Sequence, residues 1–289
     1  MVLAPNSAHC TTRFKNATDF LEGMKGKTHS EKPVISQISE STTRDRVSKE
    51  TRSGHAKNSP DTTTELLDTI VILAAYNEAP VIGGVIGGLQ EQGFTHILVV
   101  DDGSKDTTSQ VAQDSGAVVV CHTKNRGAGA ATMTGITYAK EHGFAYAVLM
   151  DSDGQHLPAD ALKMRRHATE YDVVFGSRLA QRADMPLLRK IANQIGDFVT
   201  FLFFGLYIHD SQSGFKVISR RAIETITLTF NRYEFCSEFV GQVKEHNLRY
   251  TILPITVVYT KHSQSKGHGQ SIPNGFRMLW RFLFYRRNL

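Results

Sequence analysis

From residue 69 onward, short apolar runs rich in β-branched residues alternate with segments of helical period, and four of the runs end on polar residues. Thr69–Ala75 (TIVILAA) is apolar at almost every position, the pattern of a strand buried on both faces rather than one with a wetted side. His96–Val100, Ala117–Cys121, Tyr146–Met150 and Val173–Gly176 repeat it. Helices are expected between them: one opening at Asn77–Pro80 with Val81, Val85, Ile86 and Leu89 as its apolar face, then Thr107–Ser115 and Ala128–His142. Gly83, Gly84, Gly87 and Gly88 lower the propensity of the first, so close packing against a sheet or ligand is expected there. Such alternation with short links implies an α/β fold, a mostly parallel sheet with right-handed crossovers and flanking helices. Ligands of these sheets gather beyond the carboxyl ends of the strands. The polar motifs fall there: Tyr76–Glu78, Asp101–Asp102, His122–Asn125 and Asp151–Asp153.

The flanks read differently. Residues 1–64 are rich in Ser, Thr, Lys, Glu and Asn, with too few apolar residues to offset the entropy of ordering, and are expected to be a disordered tail. The folded domain spans 65–272. Residues 273–289, with Phe276, Trp280, Phe282 and several arginines, form an amphipathic segment suited either to a membrane interface or to packing on the core. No stretch approaches the roughly 20 apolar residues that cross a bilayer; Phe198–Ile208 is about half that length and reads as a buried or interfacial helix. The formal charge of +5 suits an anionic partner such as a nucleotide, a lipid phosphate or an acidic membrane surface, and is too small to argue for nucleic acid. Cys10, Cys121 and Cys236 are scattered, without CxxC spacing, so neither a disulfide framework nor a zinc site is expected. That and the lack of a secretory signal point to the cytoplasm, with peripheral contact at the cytoplasmic membrane face.

Asp151-Ser-Asp-Gly-Gln-His156 follows an apolar run, and two carboxylates one residue apart at a strand end can turn to a common point. Oxygen ligands of that kind suit Mg2+ or Mn2+, which neutralises a diphosphate; Gln155 and His156 are further ligand candidates. Asp102, at another strand end, can accept hydrogen bonds from a base or ribose. Asn125-Arg-Gly-Ala-Gly129 precedes a helix and is either an anion cradle of main-chain N–H groups or a plain loop-to-helix junction. It matches neither the G-x-x-x-x-G-K-[ST] nor the G-x-G-x-x-G pattern, which weakens the kinase, ATPase and dehydrogenase readings. Glu234 and Glu238 offer a general base to a hydroxyl acceptor, or are exposed helix charges; an ionised lipid phosphate needs no base. Lys266, in a basic flexible stretch, is a candidate phosphate contact, unless that stretch is a plain solvated loop.

Ala75-Tyr-Asn-Glu78, Asp101-Asp-Gly-Ser104, Asn125-Arg-Gly-Ala-Gly129, Met150-Asp-Ser-Asp-Gly-Gln-His156, Gly176-Ser-Arg178 and Asp210-Ser-Gln-Ser-Gly-Phe-Lys216 occur in one order. The set resembles the family 2 glycosyltransferases of GT-A fold, most of all the dolichol-phosphate mannosyltransferase and polyprenyl-phosphate glycosyltransferase group. Ala74 departs from it, standing where proline is usual. The resemblance implies inverting transfer of a hexose from a nucleotide sugar of the GDP-mannose or UDP-glucose type to a polyprenyl or dolichyl phosphate. The same donor with a soluble or protein hydroxyl acceptor, or nucleotide-sugar binding without catalysis, are the alternatives. It further implies donor contacts at Ala75, Tyr76, Glu78, Asp102, Asn125, Gly129 and Ser152. Metal ligation falls to Asp151, Asp153 and Gln155, phosphate handling to Arg178, Arg189 and Lys266, and catalytic roles to Asp153, Arg178 and Glu234.

Overall fold

The computed structural model describes residues 13–14, 66–178, 187–232 and 234–258, excluding the side chains of 13–14 and 187–193. Eight strands form one sheet: β1 (Arg13–Phe14), β2 (Thr69–Ala75), β3 (His96–Asp101), β4 (Val118–His122), β5 (Tyr146–Asp151), β6 (Val173–Ser177), β7 (Lys216–Ser219) and β8 (Tyr250–Pro254). Their order is β1-β4-β3-β2-β5-β7-β6-β8. All neighbours run parallel except β7, which is antiparallel to both β5 and β6. Among the described residues the helices are α1 (Ile82–Glu91), α2 (Thr108–Asp114), α3 (Ala128–Glu141), α4 (Pro158–His167), α5 (Leu187–Phe204), α6 (Arg220–Thr225) and α7 (Phe235–Glu245). The α/β architecture expected from the alternation is present, with the GT-A-like arrangement that the resemblance implies.

The near-continuous apolar strands follow from burial on two sides. Successive side chains of a strand point to opposite faces. Ile70 and Ile72 accordingly enter a core with Ala131, Ile136, Phe239 and Val240, while Val71 and Leu73 enter a second core with Ile82, Ile86, Leu89 and Met164. Both faces are dry, so neither shows polar alternation. Gly135 on α3 lets Ile72 of β2 press against the helix backbone.

Several local expectations shift. The first helix begins at Ile82, not at Pro80: residues 78–81 form a turn in which Val81 N and Ile82 N donate to the Glu78 carbonyl, and the N–H groups of Asn77, Glu78 and Ala79 before it donate to Ser104, Thr108 and Asp106 of the neighbouring loop. Of its glycines, Gly83 abuts Ser115 and Gly88 abuts Pro158, whereas Gly84 and Gly87 face open space. The antiparallel insertion of β7 carries no sequence signal, because four residues are too few to show a period. Arg13–Phe14, within the stretch expected to be disordered, pairs with Cys121 and His122 at the sheet edge; the rest of residues 1–64, and 273–289, lie outside the described residues. Cys121 is disulfide-bonded while Cys236 is free and buried, so the expectation of unpaired cysteines holds only for Cys236 among those described. Spacing along the chain cannot reveal a pair made by the fold, and the cysteines no longer argue for the cytoplasm.

Candidate functional site

Strand order decides which polar motifs meet. Ala75 pairs with Asp101 on one side, and Ala74 with Asp151 on the other. The carboxyl ends of β3, β2 and β5 are therefore consecutive, and the loops after them share one crevice. Ser152 is buried and donates its hydroxyl proton to the Ala74 carbonyl at 2.7 Å, pinning the β5 turn to β2. The Asp102 N–H does the same on the other side, donating to the Ala75 carbonyl at 2.8 Å. Asn77, in left-handed conformation at φ 55°, accepts from Lys105 N through its side chain. The 76–79 and 101–108 loops thus make one platform, with Tyr76 exposed at its edge and Glu78 buried within it.

Asp102 is engaged from within the protein. One carboxylate oxygen accepts from His122 Nδ1 at 2.6 Å and Arg126 N at 2.9 Å; the other accepts from Gly127 N at 2.6 Å and Arg126 N at 3.1 Å. A carboxylate has about four acceptor sites, and three donors, with the Arg126 N–H shared between both oxygens, take up most of them. The 125–129 loop does hold an anion, and that anion is Asp102. The start of α3 is further covered by protein, since Ala130 N donates to the Asn231 carbonyl and Gly129 lies against the Phe230 carbonyl. Asn125 is exposed beside it.

Asp151 points the other way. Its side chain is 54% exposed, in a cleft lined by Ala74, Ala128, Thr132, Gly214 and Phe235. Asp153 accepts from Gln155 N at 3.0 Å, closing a turn through Gly154 at φ 75°. His156 is buried, stacked on Phe215 with centroids 4.7 Å apart; its Nδ1 has no hydrogen-bond partner and lies 4.0 Å from Asp151 Oδ2. Burial pushes the His156 pKa down against the pull of the Asp151 charge, which favours neutral imidazole. An open carboxylate, a second one two residues on, an amide oxygen at Gln155 and an orphaned imidazole nitrogen fit a hard divalent cation. Among the described residues no group of three or more His, Cys, Asp or Glu is preassembled for a metal.

Arg178, just beyond β6, donates to Asp210 from its main-chain N and from Nε, each at 2.8 Å, and from Nη2. Asp210 is buried, and its own N–H donates to Asp197 of α5 at 3.0 Å. Asp197 also accepts from Ser211 N and Oγ, both at 2.9 Å. A chain of carboxylates thus fixes the plane of the Arg178 guanidinium beside the cleft. Lys216 is fully buried, its ammonium donating to the Ser213 carbonyl among the rings of Phe175, Phe235 and Phe239. Glu238 is fully buried too: it accepts from Thr229 N and Oγ1 and from Phe230 N, which makes it a clamp on the 229–230 loop. Glu234 is buried at the start of α7, next to the cleft-lining Phe235. Arg189 lies on α5 with its side chain outside the description, and Lys266 lies outside the described residues altogether. Asp197 gave no sequence signal, since it stands alone in an apolar helix.

The sequence profile described as Glycosyl transferase family 2 matches residues 70–227, more than half of the chain. The UDP-N-acetylglucosamine–dolichyl-phosphate N-acetylglucosaminyltransferase of Methanococcus voltae is 34% identical over 75% of this chain and 95% of its own. The polyprenol monophosphomannose synthase of Mycolicibacterium smegmatis is 27% identical over 75% of this chain and 87% of its own. Among solved structures, glucosyl-3-phosphoglycerate synthase from Mycobacterium tuberculosis in complex with Mg2+ and UDP superposes with a TM-score of 0.56 at 15% identity, covering 77% of this chain and 81% of that one. At that identity the likeness is one of fold.

Proposed function

The chain belongs to glycosyl transferase family 2, and from that premise we propose that it moves a hexose from a nucleotide sugar to a polyprenyl or dolichyl phosphate, with inversion at the anomeric carbon. The observation that carries the donor half is the adjacency of β3, β2 and β5, which sets the exposed Asp151 and the Asp153 turn in the same crevice as the 76–79 and 101–104 loops. The acceptor half is supported by relatives named for dolichyl and polyprenol phosphate. It is also supported by α5, whose Ile195, Phe198, Phe201 and Leu202 are exposed, with Tyr207 beyond them, a surface suited to peripheral contact with the bilayer that holds such a lipid. No described helix is long and apolar enough to cross a membrane.

In this reading Tyr76 and Glu78 border the nucleoside, and Asp102 shapes its pocket by holding the 125–127 loop. Asp151, Asp153 and Gln155 would hold Mg2+ or Mn2+, which supplies charge neutralisation at the diphosphate. Arg178, held planar by Asp210, presents its charge to a phosphate at the cleft, where a preorganised cation stabilises developing negative charge without reorganising. The acceptor is already an anion, so no side chain has to remove a proton, and this reading asks no proton transfer of Glu234. The test is a screen of UDP- and GDP-sugars labelled in the sugar, with Mg2+ or Mn2+, with and without polyprenyl phosphate. Label passing into an organic-extractable product is the expected result. Label confined to water-soluble product refutes the lipid acceptor, and no nucleotide-sugar turnover refutes the enzyme.

A further inference from the structure

His122 ends β4 and is buried, with both ring nitrogens in contact with protein. Nδ1 lies 2.6 Å from Asp102 Oδ1, and Nε2 lies 3.0 Å from Thr134 Oγ1 on α3. The two contacts differ in what they permit. A threonine hydroxyl has one proton and can also accept. The Thr134 hydroxyl lies 3.0 Å from the Ala130 carbonyl as well, so it can turn its proton to that carbonyl and accept from Nε2, or turn it to Nε2. Nε2 is therefore satisfied with or without a proton. Nδ1 has no such freedom. The Asp102 carboxylate offers acceptors only and already receives the N–H groups of Arg126 and Gly127, so Nδ1 must be the donor.

We propose that His122 is the positioning residue of the donor loop: the proton on its Nδ1 orients the Asp102 carboxylate, and that carboxylate gathers the main chain of Arg126 and Gly127. The inference rests on the crevice being the nucleotide-sugar site only for its effect on ligand binding; the proton assignment and the loop restraint stand without it. Without a donor at Nδ1 the carboxylate could turn about its Cβ–Cγ bond, and the loop would lose the shared grip at Oδ1. The consequence reaches the cleft. Gly103 lies against the Lys124–Asn125 backbone, where a Cβ would come within 2.6 Å of Lys124 C, so the loop and the 101–104 turn move together. Ala128, next in chain after Gly127, lines the cleft that holds Asp151. His122 touches no substrate in this arrangement; it acts through Asp102.

The chemistry of the ring gives a discriminating pair of substitutions. Asparagine places its amide nitrogen near the position of Nδ1, whereas glutamine reaches toward Nε2. In the full-length protein, amide hydrogen exchange at Arg126 and Gly127 is expected to be as slow in His122→Asn as in the parent, and about tenfold faster or more in His122→Gln, the scale of one charge-assisted hydrogen bond. Binding of UDP or GDP with Mn2+ should follow the same order, retained in the asparagine variant and weakened about tenfold in the glutamine variant. Nitrogen NMR of the parent protein should show a proton on Nδ1 of His122, which requires no variant to fold. A bare Nδ1, or equal protection of the loop in the two variants, overturns the proposal. If the parent binds neither nucleotide while the exchange pattern holds, the functional reading fails and the His122 assignment survives.

Discussion

Gly214 offers the sharpest test of Asp151. It stands in the turn before β7, and a Cβ there would lie 2.5 Å from Asp151 Oδ1, 2.9 Å from Oδ2 and 3.0 Å from Cγ. That is roughly 1 Å inside ordinary van der Waals separation, so in Gly214→Ala the carboxylate must retreat by about that distance. The retreat is cheap for the fold, because the obstructing atoms are the free end of a side chain already 54% exposed. Alanine also has fewer unfolded conformations than glycine, and stability should change by no more than about 1 kcal/mol. Function should suffer far more. A displacement of about 1 Å in a group that positions reactants can cost about 100-fold in rate. Gly84→Ala is the control, since nothing lies within 4 Å of a Cβ at that exposed helix position. It should leave turnover unchanged and stabilise by about 0.5–1 kcal/mol. The assay is sugar transfer with Mn2+ titrated, beside urea unfolding of the same samples. Near-normal turnover and unchanged Mn2+ dependence in Gly214→Ala would refute the assignment of Asp151 to the reacting centre. Loss of the fold would refute the claim that its carboxylate can move freely.

Asp210→Asn leaves Arg178 facing an amide in place of an anion, and should lower transfer about tenfold or more and cost about 1–3 kcal/mol in unfolding; unchanged kcat/KM in a steady-state assay of the folded variant would show that the guanidinium needs no such clamp. Glu238→Gln turns one amide N–H toward the donors at Thr229 and Phe230, and should cost about 1–3 kcal/mol in urea unfolding with the pH–rate profile unaltered; a shifted profile would restore Glu238 as a base. Asp172 is pulled upward by burial, but hydrogen bonds from Arg249 and the charges of Arg249 and Arg221 outweigh this and lower its pKa. A lowered folded-state pKa gives stability that is full above the ordinary aspartate value and lost as pH falls through the lowered one. Asp172→Asn should therefore be less stable near neutrality and lose less on acidification, as followed by thermal unfolding against pH.

Strands β2 to β6 were legible because both faces of the sheet are buried, which writes apolar runs into the sequence, and α1 to α3 were legible from their helical period; α4 (Pro158–His167) was not anticipated. Boundaries moved where the chain makes a turn tied to a neighbouring loop, which spacing does not reveal; the start of α1 at Ile82 is the plainest case. Asp151 and Asp153 were legible as candidate ligands because their spacing and position after a strand are local. The behaviour of Asp102 was not, because its four contacts come from residues 20 to 25 positions away. Glu234 and Glu238 read alike in sequence and both are buried; that Glu238 clamps Thr229 and Phe230 is visible only in the fold.

Taken alone, the order of residues determined the α/β class, the family resemblance and the set of strand-end motifs, since each depends on periodicity or short spacing. Tertiary structure decided which carboxylate is open and which is consumed. Asp151 faces a cleft kept clear by Gly214, whereas Asp102 is closed in by His122 and two main-chain amides. Two aspartates of equal intrinsic chemistry differ because hydrogen-bond partners and solvent access are properties of neighbours in space, and the sheet order that supplies those neighbours is not written in either motif.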